Sequence, residues 1–245
     1  MGEPQGQGGA GEVRDYPANG FGAVAALTRV RIVAAELAHV TPAFPLAFAH
    51  ERGRRALFAI LGLEQGRNLF VSPDGTWLAP YLPAWVRCAR SDMDAGVGYT
   101  RLRIEGGRLI GAGPADGGGG SDGGPDAFAE QLGRDQAATD EGAAALSKAG
   151  LIEPWPLRVR FGDETHALDG LHRLDERALA ALDDRRFLVL RHAGALPLAY
   201  AQLHATRNVA MLARLHELHR HGASRKETPE PLDPFADPEA SFDFR

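Results

Sequence analysis

Disulfides are the first thing this sequence does without. Its single cysteine, Cys88, excludes an intrachain disulfide framework and any cysteine-rich zinc site built from one chain, and it fits a reducing, cytoplasmic setting. Arg87 and Arg90 flank that thiol, but with no assigned histidine partner it reads as structural. Basic charge is also scarce: 27 Lys and Arg against 32 Asp and Glu give a formal net charge of −5. The arginines are scattered, so no nucleic-acid partner is expected. No apolar run approaches the length of a bilayer span, and the opening Met-Gly-Glu-Pro-Gln-Gly-Gln-Gly-Gly has neither a basic nor an apolar signal region. Neither membrane insertion nor secretion is expected. Gly6 stands where a myristoylation signal would need Ser or Thr.

Apolar residues make up 44% of the chain, ample for a core, and their spacing reads as α+β. Between Thr41 and Arg87, Phe44–Phe48, Ala56–Leu61, Asn68–Val71 and Thr76–Ala79 read as short strands. The turns Glu64-Gln-Gly-Arg67 and Ser72-Pro-Asp-Gly75 separate them, and the second should close a hairpin. Tyr99–Ile104 and Leu109-Ile110 suggest another hairpin. Residues 126–149 should form a helix ending at Gly150, followed by a strand over Trp155–Phe161 and a short helix over Asp175–Leu182. Phe187–Leu190 is expected as a buried strand, and Leu198–His219 as one long amphipathic helix lying on a predominantly antiparallel sheet. The expected organisation is a disordered segment at 1–20, one body over 21–222 with a flexible glycine-rich linker at 111–125, and a disordered acidic tail at 223–245. That linker lacks the fixed glycine pattern of a phosphate loop.

Several stretches together resemble one family. Gly62–Val71, then Gly75-Thr-Trp-Leu-Ala-Pro-Tyr-Leu-Pro83, then Gly150–Trp155, Leu168–Glu176 and Gly194–Leu203 follow in the order of the bacterial SapC proteins. The resemblance covers roughly residues 40 to 218. One departure falls at Trp85-Val-Arg-Cys-Ala-Arg-Ser91, where the family typically has paired arginines and then Pro-Phe, so that corner's role does not carry over. The resemblance implies an association with bacterial surface-layer loci, and with genes for outer-membrane uptake receptors and flavin-dependent halogenases. It implies no activity that can be placed on particular residues.

The leading candidate site is the corner Asn68, Trp77, Tyr81, Pro83 and Arg87, where aromatic faces and a guanidinium suit recognition of a peptide, a sugar or a protein partner. The plainer reading makes Trp77 and Tyr81 core anchors and Asn68 a turn cap. His216 and His219, three apart on a helix, can share a face, but no carboxylate or cysteine completes a metal shell, so neither metal nor cofactor is expected. His204 and Asn208 read as a partly buried hydrogen-bonding pair. The carboxylates Asp163, Glu164, Asp169, Asp175 and Glu176 read as solvated or capping groups, and no Gly-x-Ser-x-Gly supports a serine hydrolase. The sequence therefore favours a non-catalytic binding or accessory protein. The alternative is an enzyme or auxiliary subunit in a peptide or natural-product modification pathway, centred on His166, His172 or the Asp169/Asp175 turn.

Overall fold

The longest apolar runs of the sequence become the middle of a sheet. The computed structural model describes residues 21, 24–87, 103–105, 108–111, 125–161 and 164–226, with side chains over 21, 24–87, 128–160 and 164–220. The segment 1–20, Cys88, most of the glycine run at 111–125 and the tail from 227 lie outside the described residues. The strands are β1 (Arg29–Arg31), β2 (Leu46–Glu51), β3 (Arg54–Ile60), β4 (Arg103–Glu105), β5 (Arg108–Gly111), β6 (Ile152–Pro154), β7 (Leu157–Phe161), β8 (Glu164–Leu168) and β9 (Leu171–Leu174).

Leu46 to Ala49 and Ala56 to Ile60 are buried at every position, so both faces of β2 and β3 are covered. The two strands form a hairpin in register from Leu46↔Ala59 to Glu51↔Arg54. Arg52 and Gly53 turn it with φ of 49° and 78°, the left-handed pair that a two-residue hairpin needs. The main sheet runs β4-β5-β1-β3-β2-β9-β6, and its five members from β1 to β6 pair antiparallel throughout. The β4–β5 hairpin joins β1 in parallel at Arg29↔Arg108, and β7 and β8 form a separate two-stranded sheet.

The helices are α1 (Leu37–Val40), α2 (Pro125–Lys148), α3 (Glu176–Ala180), α4 (Asp184–His192), α5 (Ala195–Ala205) and α6 (Val209–Lys226). The long α2 packs on β3, and α5 packs on β2 and β9. These two helices also meet each other: a Cβ on Gly142 would stand 2.8 Å from Leu198 Cδ1. Gln202, fully buried on α5, donates to Leu46 O (3.2 Å) and accepts from Leu174 N (2.9 Å), so one side chain joins β2 to β9. The α+β architecture with an antiparallel sheet and helices upon it is as the sequence predicts.

Several local expectations change. Phe187–Leu190 lies in α4 and is not a buried strand; Leu188 and Val189 are 45% and 60% exposed. Asp183 starts that helix by accepting from Arg186 N, while Arg191 and His192 sit favourably in its last turn. The single helix expected over 198–219 is broken by a 3₁₀ turn at Thr206–Asn208, and α6 runs on to Lys226, past the expected boundary at 222. At that break Asn208 donates to Thr41 O (2.7 Å) and Phe44 O (3.0 Å), so it is not paired with His204, which is exposed. Asn68–Val71 and Thr76–Ala79 are turns joined by the antiparallel bridge Val71↔Trp77 instead of strands. The Ser72-Pro-Asp-Gly turn does close that bridge, with Gly75 at φ 87°.

Candidate functional site

The chain leaves β3 through a loop that is pinned at many points. Leu61 N and Gly62 N donate to Thr28 O, Asn68 N to Ala25 O, and Leu69 N to Leu61 O. At Gly62 an added Cβ would lie 1.9 Å from Arg67 O, so only glycine lets the loop close on itself. Asn68 is 2% exposed; it donates to Val24 O (3.0 Å) and accepts from Phe70 N (2.9 Å), a turn-capping role. Trp77 is 7% exposed and packs its ring among Phe21, Phe44 and Phe70, with Nε1 donating to Tyr81 O (3.0 Å). Pro83 is buried at the start of a helical turn over residues 84–87, where Arg87 N donates to its carbonyl.

Tyr81 and Arg87 stand apart from these buried members of the corner. The Arg87 guanidinium lies 5.5 Å from the ring centroids of both Tyr81 and Phe128, and donates to Tyr81 Oη (3.2 Å). His39 stacks on Tyr81 with centroids 5.0 Å apart and rings 12° from parallel. His39, Arg87 and Phe128 are exposed and Tyr81 is half-buried, so the group forms a ledge of aromatic faces around a cation. Beneath it is Glu36, which accepts from Val33 N, Ala84 N and the Tyr81 hydroxyl. Burial raises the Glu36 carboxyl above the ordinary range, against the pull of those hydrogen bonds and of Arg87. Glu36, His39 and Phe128 carry no local signal in the sequence, since Val33 lacks the hydroxyl or carboxylate that would mark a helix start three residues before Glu36.

A second gathering lies where α6 crosses the β7–β8 hairpin and the loop after β3. Glu64, His166 and His216 bring ligand atoms within 4.8 Å of one another. His166 Nδ1 is 3.4 Å from Glu64 Oε1, its Nε2 is 3.7 Å from Glu164 Oε2, and its ring centroid is 5.3 Å from that of His216. His216 is 3% exposed, and burial, with Arg67 and His166 nearby, lowers its imidazole below the usual histidine range. His219 faces elsewhere: its Nε2 pairs with Leu69 O at 3.0 Å, and burial lowers its pKa too.

The remaining candidates are spread. His172 sits beside His50, ring centroids 5.1 Å apart, and is shifted below the usual range by burial and then by Arg55 and His50. Asp169 borders a cleft of about 380 Å³ that Glu64, Gln65 and Leu171 also line. Asp175 caps α3 through Ala178 N and borders another cleft, of about 580 Å³, with Arg173 and Glu153. Glu164, Asp169 and Glu176 are exposed, and Asp163 lies outside the described residues. Among the described residues, no helix is long and apolar enough to cross a membrane.

The model of one family, SapC, matches residues 12–89 and 126–212. The match therefore takes in the pinned loop, the aromatic corner, the departure as far as Ala89 and every residue of the second cluster except His216, and it skips the glycine run. No curated protein and no solved structure matches the chain.

Proposed function

The chain belongs to the SapC family, and from that premise we propose that it is a non-catalytic binding or accessory protein that holds a peptide or protein partner on the Tyr81–Arg87 corner. The observation that supports this reading is the ledge itself: Arg87 is stacked over two rings at the surface, with His39 extending the row. Aromatic rings and arginine supply much of the energy of recognition surfaces, because they offer large area at low entropic cost. A guanidinium held over aromatic faces keeps its outward donors for a partner's carboxylate or backbone carbonyls. In this reading Tyr81 and Arg87 make contact, while Asn68, Trp77 and Pro83 hold the shape from below. The setting is cytoplasmic, in the service of a surface-layer or outer-membrane uptake system.

Capture from lysate of the native host tests this. Wild-type protein should retain a defined set of partners that Tyr81→Ala and Arg87→Ala both lose, with the thermal midpoint of Arg87→Ala unchanged. Equal recovery by all three proteins would show that the corner is not the binding surface.

A second reading, an enzyme or auxiliary subunit of a peptide or natural-product modification pathway, is favoured by the clefts at Asp169 and Asp175. It predicts turnover by the purified chain that Asp169→Asn abolishes.

A further inference from the structure

The geometry points to a binding site for a zinc-like divalent transition metal made by Glu64, His166 and His216. The three ligands come from separate segments: Glu64 from the loop after β3, His166 from β8 and His216 from α6. A tetrahedral zinc ion sits about 2.0–2.1 Å from nitrogen and oxygen donors, which places those donors about 3.3 Å from each other. His166 Nδ1 and Glu64 Oε1, 3.4 Å apart, already have that spacing. With all donors inside 4.8 Å, His216 completes the set by a side-chain shift on the order of 1 Å. Two imidazoles and one carboxylate suit zinc and its first-row neighbours, whereas calcium and magnesium prefer shells of oxygen.

The surroundings orient the ligands as a metal would need. Glu64 Oε2 is turned to Arg67 Nη1 at 3.8 Å, which leaves Oε1 facing His166. On the far side of His166 the Glu164 carboxylate lies 3.7 Å from Nε2, close enough that a small side-chain turn would give the carboxylate–imidazole–metal order that fixes a ligand's tautomer and strengthens it. Glu64 and Glu164 against Arg67 leave the pocket net negative before an ion enters. One turn beyond His216, the bond from His219 to Leu69 O holds α6 on the loop that carries Glu64. The side chains of Glu64 and His166 are 45% and 16% exposed while His216 is buried, so the ion would enter from the Glu64 side and keep a position there for water. Helical spacing alone pairs His216 with His219, and the fold separates that pair. This site stands independently of the Tyr81–Arg87 corner.

The test uses the full chain without an affinity tag, stripped with EDTA and titrated with Zn²⁺ in a calorimeter. One ion per chain should bind, Co²⁺ in its place should show a tetrahedral absorption spectrum, and Zn²⁺ should raise the melting midpoint. Glu64→Gln and His166→Gln should each weaken binding at least about tenfold and remove the rise in midpoint, Glu164→Gln should weaken it less, and His192→Gln on the exposed face of α4 should change nothing. Glu64 sits on an exposed turn, so its variant reports on ligation with the fold intact. Substoichiometric binding by wild type, or stoichiometric binding that survives both Glu64→Gln and His166→Gln, would overturn the site.

Discussion

The Tyr81 corner and the Glu64–His166–His216 cluster are built in opposite ways. Tyr81, Pro83 and Arg87 follow one another along the chain, and a helical turn sets their spacing; His39 and Phe128 only widen the ledge they make. The cluster has no local spacing at all, since a loop, a strand and a helix each supply one side chain. A contiguous site announces itself in sequence and a convergent one does not. The corner also stands on a hydrophobic floor, whereas the cluster stands on a backbone loop, and the two supports can be broken separately.

The largest effect is expected from the floor. Trp77→Ala removes a ring packed among Phe21, Phe44 and Phe70 and should cost about 3–5 kcal/mol, a fall of about 10 °C or more in melting midpoint by calorimetry. Trp77 is for that reason a poor probe of partner contact, and Arg87 is the better one. If Zn²⁺ affinity of the folded variant drops as far as partner capture does, the two regions are not independent. Gly62→Ala attacks the other support. Its Cβ would meet the Arg67 carbonyl, so the loop must open at a cost of about 2–3 kcal/mol in denaturant unfolding, and Zn²⁺ binding should suffer while capture on the Tyr81 ledge persists.

The smallest effect sharpens the corner alone. Glu36→Gln replaces one oxygen that accepts a buried hydrogen bond and should cost about 1–2 kcal/mol at acid pH. Because burial raises the carboxyl in the folded state, its contribution to stability is fully present below the unfolded carboxylate pKa and is lost as pH rises through the folded value. Wild type should therefore lose its advantage over Glu36→Gln as pH rises from about 4.5, in a series of urea melts. Tyr81 and Arg87, which favour the charged form of Glu36, limit that loss.

What the sequence revealed follows the same division. The runs Phe44–Phe48 and Ala56–Leu61 became β2 and β3 because strands covered on both faces need unbroken apolar stretches. Helix α2 ends at Lys148, just before Gly150 at φ 74°, where the Ala-rich run stops. Phe187–Leu190 misled because a short apolar run is ambiguous; the Asp183 cap before it and Arg191-His192 after it were the better guides. The break at Thr206–Asn208 was invisible because its cause, the bonds from Asn208 to the carbonyls of Thr41 and Phe44, lies far away in the chain. At the candidate corner the plainer reading holds for Asn68 and Trp77, which are buried as a turn cap and a core anchor, and Tyr81 and Arg87 are left as its accessible members. Glu64 lies in a turn motif, and nothing near it in sequence hints that His166 and His216 arrive beside it.

The amide of Gln202 adds a consequence for how the chain holds together. It fastens the seam between β2, from the stretch before the glycine run, and β9, from the stretch after it. Neither stretch alone carries a finished sheet: the earlier one would present a bare edge at β2, and the later one a bare edge at β9. A chain severed between residues 112 and 124 should thus yield two fragments, each with a bare edge that the other covers in the intact sheet, a pair expected to reassemble by complementation when mixed.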